Sequence, residues 1–396
     1  MDRPVSICAS GCICAAGKDT RACFETMLDG DVQPTFAPGF SYDQPMHSPV
    51  FAVEQEWITP KEQTPALTET MQLLFPAVGE ALAQAGLNRE RLGNLKVGSC
   101  IGSSTGASLN FKSFYQQWRE GSEPDLQVIE SYLHCNPAAA LADQYELNGP
   151  VQTVTNACSS GTDAIGIAAS WIRQGLCDLV IAGGADALSG ISYTGFSRLM
   201  ITSPERCRPF DKDRQGLNLG EGAAVLILAS DKAMQELKLG SIGQVLGYGT
   251  CCDAYHLTAP HPEGTGLKQA ISEALKRSKI NTQEIGFINV HGTGTENNDR
   301  IEGQVISELF PSTPFTGVKS FTGHTLGAAG AIEAVMTLMS LRYGLLMPTR
   351  GFHEAAPDAK AIPVTQKTEI KAEYGLSDSL AFGGNNSALV FKKGAV

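Results

Sequence analysis

The sequence has no long hydrophobic run and fewer positive than negative charges, and each of these features makes a class of protein unexpected. No apolar run approaches the roughly 20 residues that a membrane-spanning helix needs. The 396 residues contain 30 Lys and Arg against 41 Asp and Glu, a net charge of -11. Such a balance gives no overall attraction to nucleic acid or to an anionic membrane. We therefore expect neither a nucleic-acid-binding nor a membrane-spanning protein.

A disulfide framework and a metal-binding motif are also lacking. The eleven cysteines are odd in number and follow no regular spacing, which suits a reducing compartment. Cys12 and Cys14 are too close together for a zinc knuckle, Cys251 and Cys252 are adjacent, and no histidine pair at metal spacing accompanies them. The apolar start is short and broken by Gly11, so it predicts a first strand rather than a signal peptide. We expect a cytoplasmic protein without a metal.

Short apolar segments rich in Val, Ile and Ala alternate with longer segments of helical period. This alternation predicts an α/β fold with buried strands, and 42% hydrophobic residues suffice for a large core. No linker or low-complexity stretch interrupts the alternation. The predicted strand segments are 96–104, 178–186, 223–230, 285–292 and 379–391.

Two parts of the sequence are weakly similar to each other. Residues 157–169 and 320–334 each bring a reactive type of side chain into a Gly-rich turn that opens a helix of small residues. A Gly-Gly pair follows later in each half, at Gly183-Gly184 and Gly383-Gly384. Two similar α/β halves explain the pattern, and a chance similarity of small-residue strings stays open beside that explanation. The predicted division is 1–235 and 236–396.

Cys158 is predicted at the start of a helix. The apolar residues that follow it recur on one helical face, and Ser159, Ser160 and Thr162 are candidate caps. A helix start favours a thiolate, and its free N–H groups can stabilise an oxyanion, as a nucleophile requires. A free cysteine is equally often a small buried side chain that only fills space. The local pattern leaves the two readings level.

His291 follows the apolar strand IGFINV and precedes the turn GTGT. Loops at strand ends often carry catalytic residues, and the glycines of this turn allow a ligand to approach the backbone. Thr293 and Thr295 add hydroxyl groups that donate and accept hydrogen bonds. A structural turn with a hydrogen-bonded histidine is the alternative.

The segment VKSFTGHTLGAAGAIEAVM, residues 318–336, offers Lys319, His324 and Glu333. A Gly-rich turn is expected to expose His324, and the glycines keep the following helix slim. Glu333 is a single charge in an apolar run, so it needs a buried cation such as Lys319 or, alternatively, an exposed helix face. Together with Cys158 and His291 these residues form a coherent nucleophilic site if the fold gathers them.

These motifs resemble the β-ketoacyl-acyl carrier protein synthases of the thiolase superfamily, specifically the elongating condensing enzymes with a Cys-His-His site. The resemblance covers nearly the whole chain and implies a thiolase-like α/β fold, in which two similar halves form a layered α-β-α-β-α core. Its motifs are specific in combination rather than singly. They are TNACSSGTDAI, RPFDKDRQGLNLGEGAA, NVHGTGTENND, KSFTGHTLGAAGAIEA and AFGGNN.

The resemblance implies a role for each candidate residue. Cys158 would carry the acyl group, while His291 and His324 would hydrogen-bond the thioester of the second substrate and promote its decarboxylation. Lys319 and Glu333 would order the histidines. Three further roles follow from the motifs: Thr293 and Thr295 would contact the phosphopantetheine arm, Gly383 and Gly384 would contribute to substrate binding, and Phe382 would gate the site and complete the oxyanion hole with the Cys158 N–H.

The implied reaction is decarboxylating condensation of an acyl primer with malonyl-acyl carrier protein, which yields a β-ketoacyl thioester longer by two carbons. The pathway, fatty acid or polyene and polyketide assembly, is left open, and so is the acyl chain; Ile101, Tyr115 and Phe196 are candidate wall residues. No resident cofactor is expected, because phosphopantetheine arrives on the carrier. Carrier docking is expected at cations near the entrance, with Arg206, Arg208 and Lys61 as candidates. A homodimer, or a heterodimer with a chain-length-factor-like subunit, is the expected assembly.

Other functions remain as alternatives. A thiolase would need a second cysteine near the last Gly-Gly turn, and AFGGNNS has none. A non-catalytic chain-length factor would have lost the nucleophile, and a thioester hydrolase would not need two histidines with a lysine and a glutamate. Two departures from the family pattern, Leu217-Asn218-Leu219 and Gly383-Gly384-Asn385-Asn386, indicate a divergent branch.

Overall fold

A computed structural model describes most of the chain. The described residues are 4–36, 48–58, 68–93, 95–104, 114, 117–124, 126, 136–357 and 359–394. Among them no helix combines the length and the apolar composition that crossing a membrane requires. Their strands are β1 (Val5–Cys14), β2 (Val97–Gly102), β3 (Val151–Val154), β4 (Leu179–Asp186), β5 (Gly222–Ala229), β6 (Gly243–Cys252), β7 (Ile285–Asn289), β8 (Phe315–Thr316), β9 (Leu345–Leu346), β10 (Thr368–Glu369), β11 (Tyr374–Ala381) and β12 (Asn385–Lys393).

Helices separate most of these strands, as the alternation of apolar segments predicts. The helices of the described residues are α1 (Thr20–Asp29), α2 (Glu69–Gln84), α3 (Arg89–Leu92), α4 (Pro137–Tyr145), α5 (Ser160–Arg173), α6 (Gly190–Arg198), α7 (Asp231–Glu236), α8 (Thr265–Ser278), α9 (Glu296–Leu309), α10 (Lys319–Thr322) and α11 (Ala329–Tyr343). Four predicted strand segments correspond to β2, β4, β5 and β7. The fifth, 379–391, contains parts of β11 and β12, because Gly383 and Gly384 adopt positive φ angles of 83° and 78° and reverse the chain there.

Ten strands form one sheet in the order β3-β2-β4-β5-β1-β6-β12-β11-β7-β8. The order and the directions repeat on the two sides of the β1–β6 contact. In each half the first and last strands pair antiparallel, as β1 with β5 and β6 with β12, while the outermost strands pair parallel, as β2 with β3 and β7 with β8. This symmetry supports two related halves. The division at 235/236 stays a prediction, because the β1–β6 contact makes the sheet continuous.

Helices cover both faces of the sheet and place the site between the two halves. Helices α5 and α11 pack against each other and against strands of both halves, whereas α2 packs on β1 and β5 and α8 packs on β6 and β12. The first turns of α5 and α11 approach closely because the glycines there, Gly161 and Gly330, have no side chain. A Cβ added at Gly330 would lie 1.9 Å from the Thr162 hydroxyl, and one at Gly161 would lie 2.7 Å from the Gly327 carbonyl oxygen. The predicted tight packing of this Gly-rich helix is confirmed, and it brings the Cys158 and His324 turns together.

Candidate active site

Cys158 lies in the turn between β3 and α5. The preceding Ala157 has a φ of 49°, a left-handed conformation that is unfavourable for a residue with a side chain. Burial raises the pKa of the Cys158 thiol to about 11, although the Lys319 ammonium and the Phe382 N–H act in the opposite direction. The prediction that the helix start favours a thiolate is therefore wrong for the resting site, because loss of hydration dominates. A nearby base must take the proton.

The predicted capping of α5 by side chains is also wrong. Ser159 occupies the N-cap position, but its single O–H is directed at Asp163 Oδ2, 2.8 Å away, and the Asn156 carbonyl oxygen, 3.0 Å away. Ser160 accepts from the Asn156 N–H, and Thr162 pairs with the Ser379 hydroxyl at 2.8 Å. The hydroxyls thus hold the nucleophile turn and join α5 to the other half, instead of binding the first N–H groups of the helix.

The two predicted histidines meet at Cys158. His291 follows β7, and its ring centroid lies 5.1 Å from that of His324 at an interplanar angle of 84°. His324 Nε2 lies 3.1 Å from Cys158 Sγ. The turn does not expose His324 to solvent as expected, since the side chain is 2% exposed and faces an internal cavity. The fold therefore gathers the three residues that lie far apart in the sequence.

Lys319 and Glu333 form the predicted buried pair, and the alternative of an exposed helix face is excluded. Both side chains are 1% exposed, and Lys319 Nζ contacts Glu333 Oε1. The same nitrogen lies 3.0 Å from His291 Nδ1 and donates to the His291 carbonyl oxygen at 2.6 Å. An ammonium has no lone pair to accept a proton, so this contact places the His291 proton on Nε2, the ring nitrogen away from Lys319.

Both histidines are neutral in the resting site. Burial lowers the pKa of His291 and of His324 well below the usual value, and the charge of Lys319 lowers each further. Burial also raises the pKa of Glu333 to about 7 against the opposing effect of Lys319. Neutral imidazoles can donate a hydrogen bond through one nitrogen and accept a proton on the other, which a nucleophilic thiol site requires.

Cys158, His291 and His324 line a cavity of about 400 Å³, whereas Lys319 and Glu333 lie behind them and do not line it. The hydroxyls of Thr293 and Thr295 also line it and lie 2.9 Å apart. The Phe382 ring stacks on Phe196 with centroids 5.5 Å apart, and both rings line the wall. Gly383 and Gly384 are absent from the cavity lining, so their role in substrate binding stays a prediction.

The candidate wall residues have different outcomes. Phe196 lines the cavity, as expected. Ile101 is fully buried in the apolar core that packs around α2, and it does not line the cavity. Its place on β2 turns its side chain to the face of the sheet away from α5. Tyr115 lies outside the described residues.

Three buried polar residues at the site were given no role by sequence reasoning. Glu302 Oε1 and Asp378 Oδ1 both accept the main-chain N–H of His291, at 2.6 and 2.9 Å. The main-chain carbonyl oxygen of Asn218 accepts the main-chain N–H of His324 at 2.7 Å. Asp378 is the one charged residue within strand β11, and this isolated charge is a signal that could have found it. Asn218 belongs to the departure from the family pattern at Leu217-Asn218-Leu219. Nothing in the local pattern distinguishes Glu302 from an exposed helix residue.

Two groups of described side chains bring three possible metal ligands within 4.8 Å of one another, Cys158 with His291 and His324, and Cys12 with Cys14 and Cys23. In the first group the thiol already contacts an imidazole, and Lys319 occupies His291 Nδ1. The second group consists of buried thiols, two of which lie 3.5 Å apart. No metal is assigned to either group.

Comparison with known proteins agrees with this geometry. Nodulation protein E of Rhizobium meliloti is 30% identical over 99% of this chain and 100% of its own, and a putative polyketide β-ketoacyl synthase of Streptomyces cyaneus is 32% identical over 81% of each. The 3-oxoacyl-[acyl-carrier-protein] synthase 2 of Staphylococcus aureus is 30% identical over 84% of each chain.

Solved structures confirm the thiolase-like fold. The ishigamide ketosynthase/chain length factor superposes over 100% of both chains with a TM-score of 0.92 at 28% identity. A β-ketoacyl synthase from Burkholderia phymatum gives 0.87 at 28% identity over 99% of this chain and 100% of its own. Residues 2–233 match the family model of the β-ketoacyl synthase N-terminal domain, and residues 242–353 match that of its C-terminal domain. The chain belongs to the β-ketoacyl synthase family and is an acyltransferase of the condensing type.

Proposed function

We propose that Cys158 carries an acyl primer and that His291 and His324 prepare a malonyl thioester on acyl carrier protein for condensation with it. The observation that carries this assignment is the contact of 3.1 Å between Cys158 Sγ and His324 Nε2, with the His291 ring beside them in one cavity. A non-catalytic chain-length-factor role does not suit a chain with this complete site. A thioester hydrolase would leave the second histidine without a task.

The first half-reaction transfers the acyl group to the sulfur. Because the thiol pKa is raised to about 11, His324 Nε2 takes the Cys158 proton as the sulfur attacks the thioester carbonyl. The N–H groups of Cys158 and Phe382 stabilise the oxyanion of the tetrahedral intermediate. The intermediate collapses with loss of the pantetheine thiolate, which receives the proton from His324.

The second half-reaction forms the carbon–carbon bond. The malonyl carboxylate leaves as CO2, and its bonding electrons move toward the thioester oxygen, where N–H donors at His291 and His324 stabilise the charge. The resulting carbanion attacks acyl-Cys158, the carbon–sulfur bond breaks, and the Cys158 thiolate takes up one proton. Lys319 and Glu333 keep His291 in its donor tautomer throughout.

The substrate arm enters along the threonine side of the cavity. Thr293 and Thr295 present adjacent hydroxyls that suit the amide groups of phosphopantetheine. Phosphopantetheine is attached to the carrier, so it belongs to the substrate and not to this protein. The cytoplasmic location of the reaction stays a prediction.

Carrier docking is proposed at a different set of cations from those expected. Arg206 binds Asp31 at 2.6 Å and Arg208 binds Glu205 at 2.9 Å, and both line a surface cavity separate from the catalytic one. Lys61 lies outside the described residues. Three cations lie beside the catalytic cavity instead. Arg214 lines both that cavity and an adjoining cleft, and the cleft also contains the exposed side chains of Arg300 and Lys360.

The proposed assembly is a dimer across the edge of β3, which pairs with no other strand of the described residues on that side. This strand ends the sheet and leads directly to Cys158, and Val151 on it is 43% exposed. An exposed strand edge is a template for pairing with another chain. Two similar structures contain a ketosynthase with its chain length factor, so a chain-length-factor-like subunit is the proposed alternative to a second copy. Native mass spectrometry of the purified chain distinguishes the two.

The nucleophile assignment is tested with purified protein, an acyl carrier and malonyl carrier, and mass spectrometry follows the protein and the products. The parent should gain the acyl mass and form the β-ketoacyl product. Cys158→Ala should do neither, whereas the control Cys252→Ala, which alters an exposed thiol, should behave like the parent. Extension by Cys158→Ala at the parent rate would refute the assignment.

The docking cations are tested by charge reversal outside the catalytic machinery. Arg300→Glu should weaken binding of the acidic carrier, and the loss should shrink as salt screens the charges. Lys276→Glu on the exposed end of α8 is the matched control and should leave affinity unchanged. Equal affinities of both variants at low salt would exclude this surface.

A further inference from the structure

Asn218 is a buried amide at the junction of several segments near His324. Asn218 is 0% exposed. Both polar atoms of its side chain form hydrogen bonds with backbone groups. The amide oxygen accepts from the Cys207 N–H at 2.6 Å. The two N–H groups of the amide nitrogen are shared among three carbonyl oxygens, those of Pro49 at 3.0 Å, Ser203 at 3.3 Å and Glu205 at 3.0 Å.

No other side chain of similar size satisfies these groups. An apolar residue would leave one N–H and three carbonyls unpaired in the interior, and aspartate would bring a negative charge against the carbonyls. The family resemblance leads one to expect an apolar residue at this point of the motif. The exchange for an amide therefore adds a set of bonds that ties the segments around residues 49 and 203–207 to the strip 217–220.

The backbone of the same strip holds His324. The His324 N–H donates to the Asn218 carbonyl at 2.7 Å, and the His324 carbonyl accepts from the Gly220 N–H at 3.1 Å. Leu217 donates its N–H to the Ile201 carbonyl at 2.9 Å, and both residues line the catalytic cavity. The position of the Asn218 carbonyl thus decides where the histidine and this part of the wall lie.

We propose that Asn218 is a positioning residue that sets the distance of His324 from the substrate thioester. Its side chain anchors the strip, and the anchored strip holds the histidine by its peptide groups. The inference rests on the proposed function, because it concerns the role of His324 in decarboxylation. A displacement of about 1 Å in such a group is enough to reduce a rate by about 100-fold.

The test compares the two half-reactions in Asn218→Val. Decarboxylation of malonyl carrier and acylation of Cys158 are timed separately by mass spectrometry. We expect decarboxylation to fall by about 10- to 100-fold more than acylation, because the transition state needs a donor at an accurate distance. Asn88→Ala is the control: it removes the side-chain N-cap of the short helix α3, none of whose residues lines the catalytic cavity, and should lower the melting temperature without changing the ratio of the half-reactions.

Equal losses in both half-reactions of Asn218→Val, as in the control, would overturn the inference and leave Asn218 a structural residue. If Asn218→Val fails to fold, Asn218→Thr decides by the same ratio, since its hydroxyl retains part of the bonding. Failure of the proposed function is separate. Unchanged decarboxylation in His324→Ala would refute the role of the histidine itself, whereas its collapse with an unchanged ratio in the Asn218 variants refutes only the positioning role.

Discussion

The two active-site histidines lie 5.1 Å apart and are held in contrasting ways. Ionisable side chains surround His291: Glu302 and Asp378 accept its main-chain N–H, and Lys319 contacts both its ring and its carbonyl oxygen. His324 is held by neutral groups, since the carbonyl of Asn218 accepts its N–H. Its ring contacts the nucleophile through Nε2, and its Nδ1 is buried without a partner among the described residues.

The difference assigns different tasks to two identical side chains. Lys319 leaves His291 one tautomer, so its Nε2 is a permanent donor toward the cavity. No hydrogen bond within the described part of the chain selects a tautomer for His324, which lets its Nε2 accept the Cys158 proton and also act as a donor. Charge thus specifies a fixed hydrogen bond, and neutral surroundings allow a proton to move.

The largest effect is expected when Lys319, the cation beside His291, is replaced. Lys319→Met leaves Glu333 buried without its partner, and loss of one member of such a pair costs about 3–5 kcal/mol. Urea denaturation should show this loss at pH 8 and a smaller one at pH 5. Burial raises the pKa of Glu333, so at pH 5 the folded state holds a neutral carboxyl, whereas rising pH ionises it and removes stability.

The double variant Lys319→Met/Glu333→Gln is the control for this effect, because it removes the unpaired charge and should recover part of the loss. Equal stability of Lys319→Met and the parent at pH 8 would show that the pair does not hold His291.

Removal of the neutral histidine is the next largest effect. His324→Ala should lower malonyl decarboxylation by about 10²–10³-fold, the usual effect of removing one donor from a developing oxyanion. Acylation of Cys158 should continue at a reduced rate, since the backbone N–H groups remain. His291→Ala should reduce decarboxylation similarly and leave acylation closer to the parent. Identical acylation rates in both variants would erase the distinction between the two histidines.

A smaller change is expected from pH. The pKa of each histidine is lowered, so protonation is displaced to pH values below the ordinary value of about 6.5. The single-turnover decarboxylation rate should therefore vary less than about twofold between pH 8 and 6.5. An acid limb centred near pH 6.5 that disappears in His324→Ala would contradict the lowered pKa of that ring.

The smallest effect is expected at the aromatic wall beside His324. Phe196 stacks on Phe382, and such pairs contribute about 0.5–1.5 kcal/mol. Phe196→Ala should admit water and shorten the lifetime of acyl-Cys158 by about 2- to 12-fold, as measured by loss of the acyl mass. Tyr343→Ala is the control, because it breaks the similarly stacked pair with Phe24 away from the cavity. A lifetime equal to that of the control would exclude a gating contact.

Local patterns singled out the candidate nucleophile and the charged side of the site, although each pattern left a structural alternative open. Cys158 stands out through its helix start, His291 through its strand end, and Glu333 through its isolation in an apolar run that calls for Lys319. The alternation of segments likewise predicted the strands that carry these turns. Each of these features arises within about 20 residues of sequence, where periodicity and a conspicuous charge are visible.

The neutral side depended on contacts between distant segments. Asn218 contacts the Pro49 carbonyl 169 residues upstream and His324 about 100 residues downstream, and no local periodicity indicates such contacts. The raised pKa of Cys158 and the burial of His324 follow from dense packing between α5 and α11. The sequence by itself determined which residues are candidates for the reaction and that the chain is an α/β condensing enzyme. Only the tertiary structure decided the position, the protonation state and the orientation of each of these side chains, because burial and long-range hydrogen bonds exist only once the two halves meet.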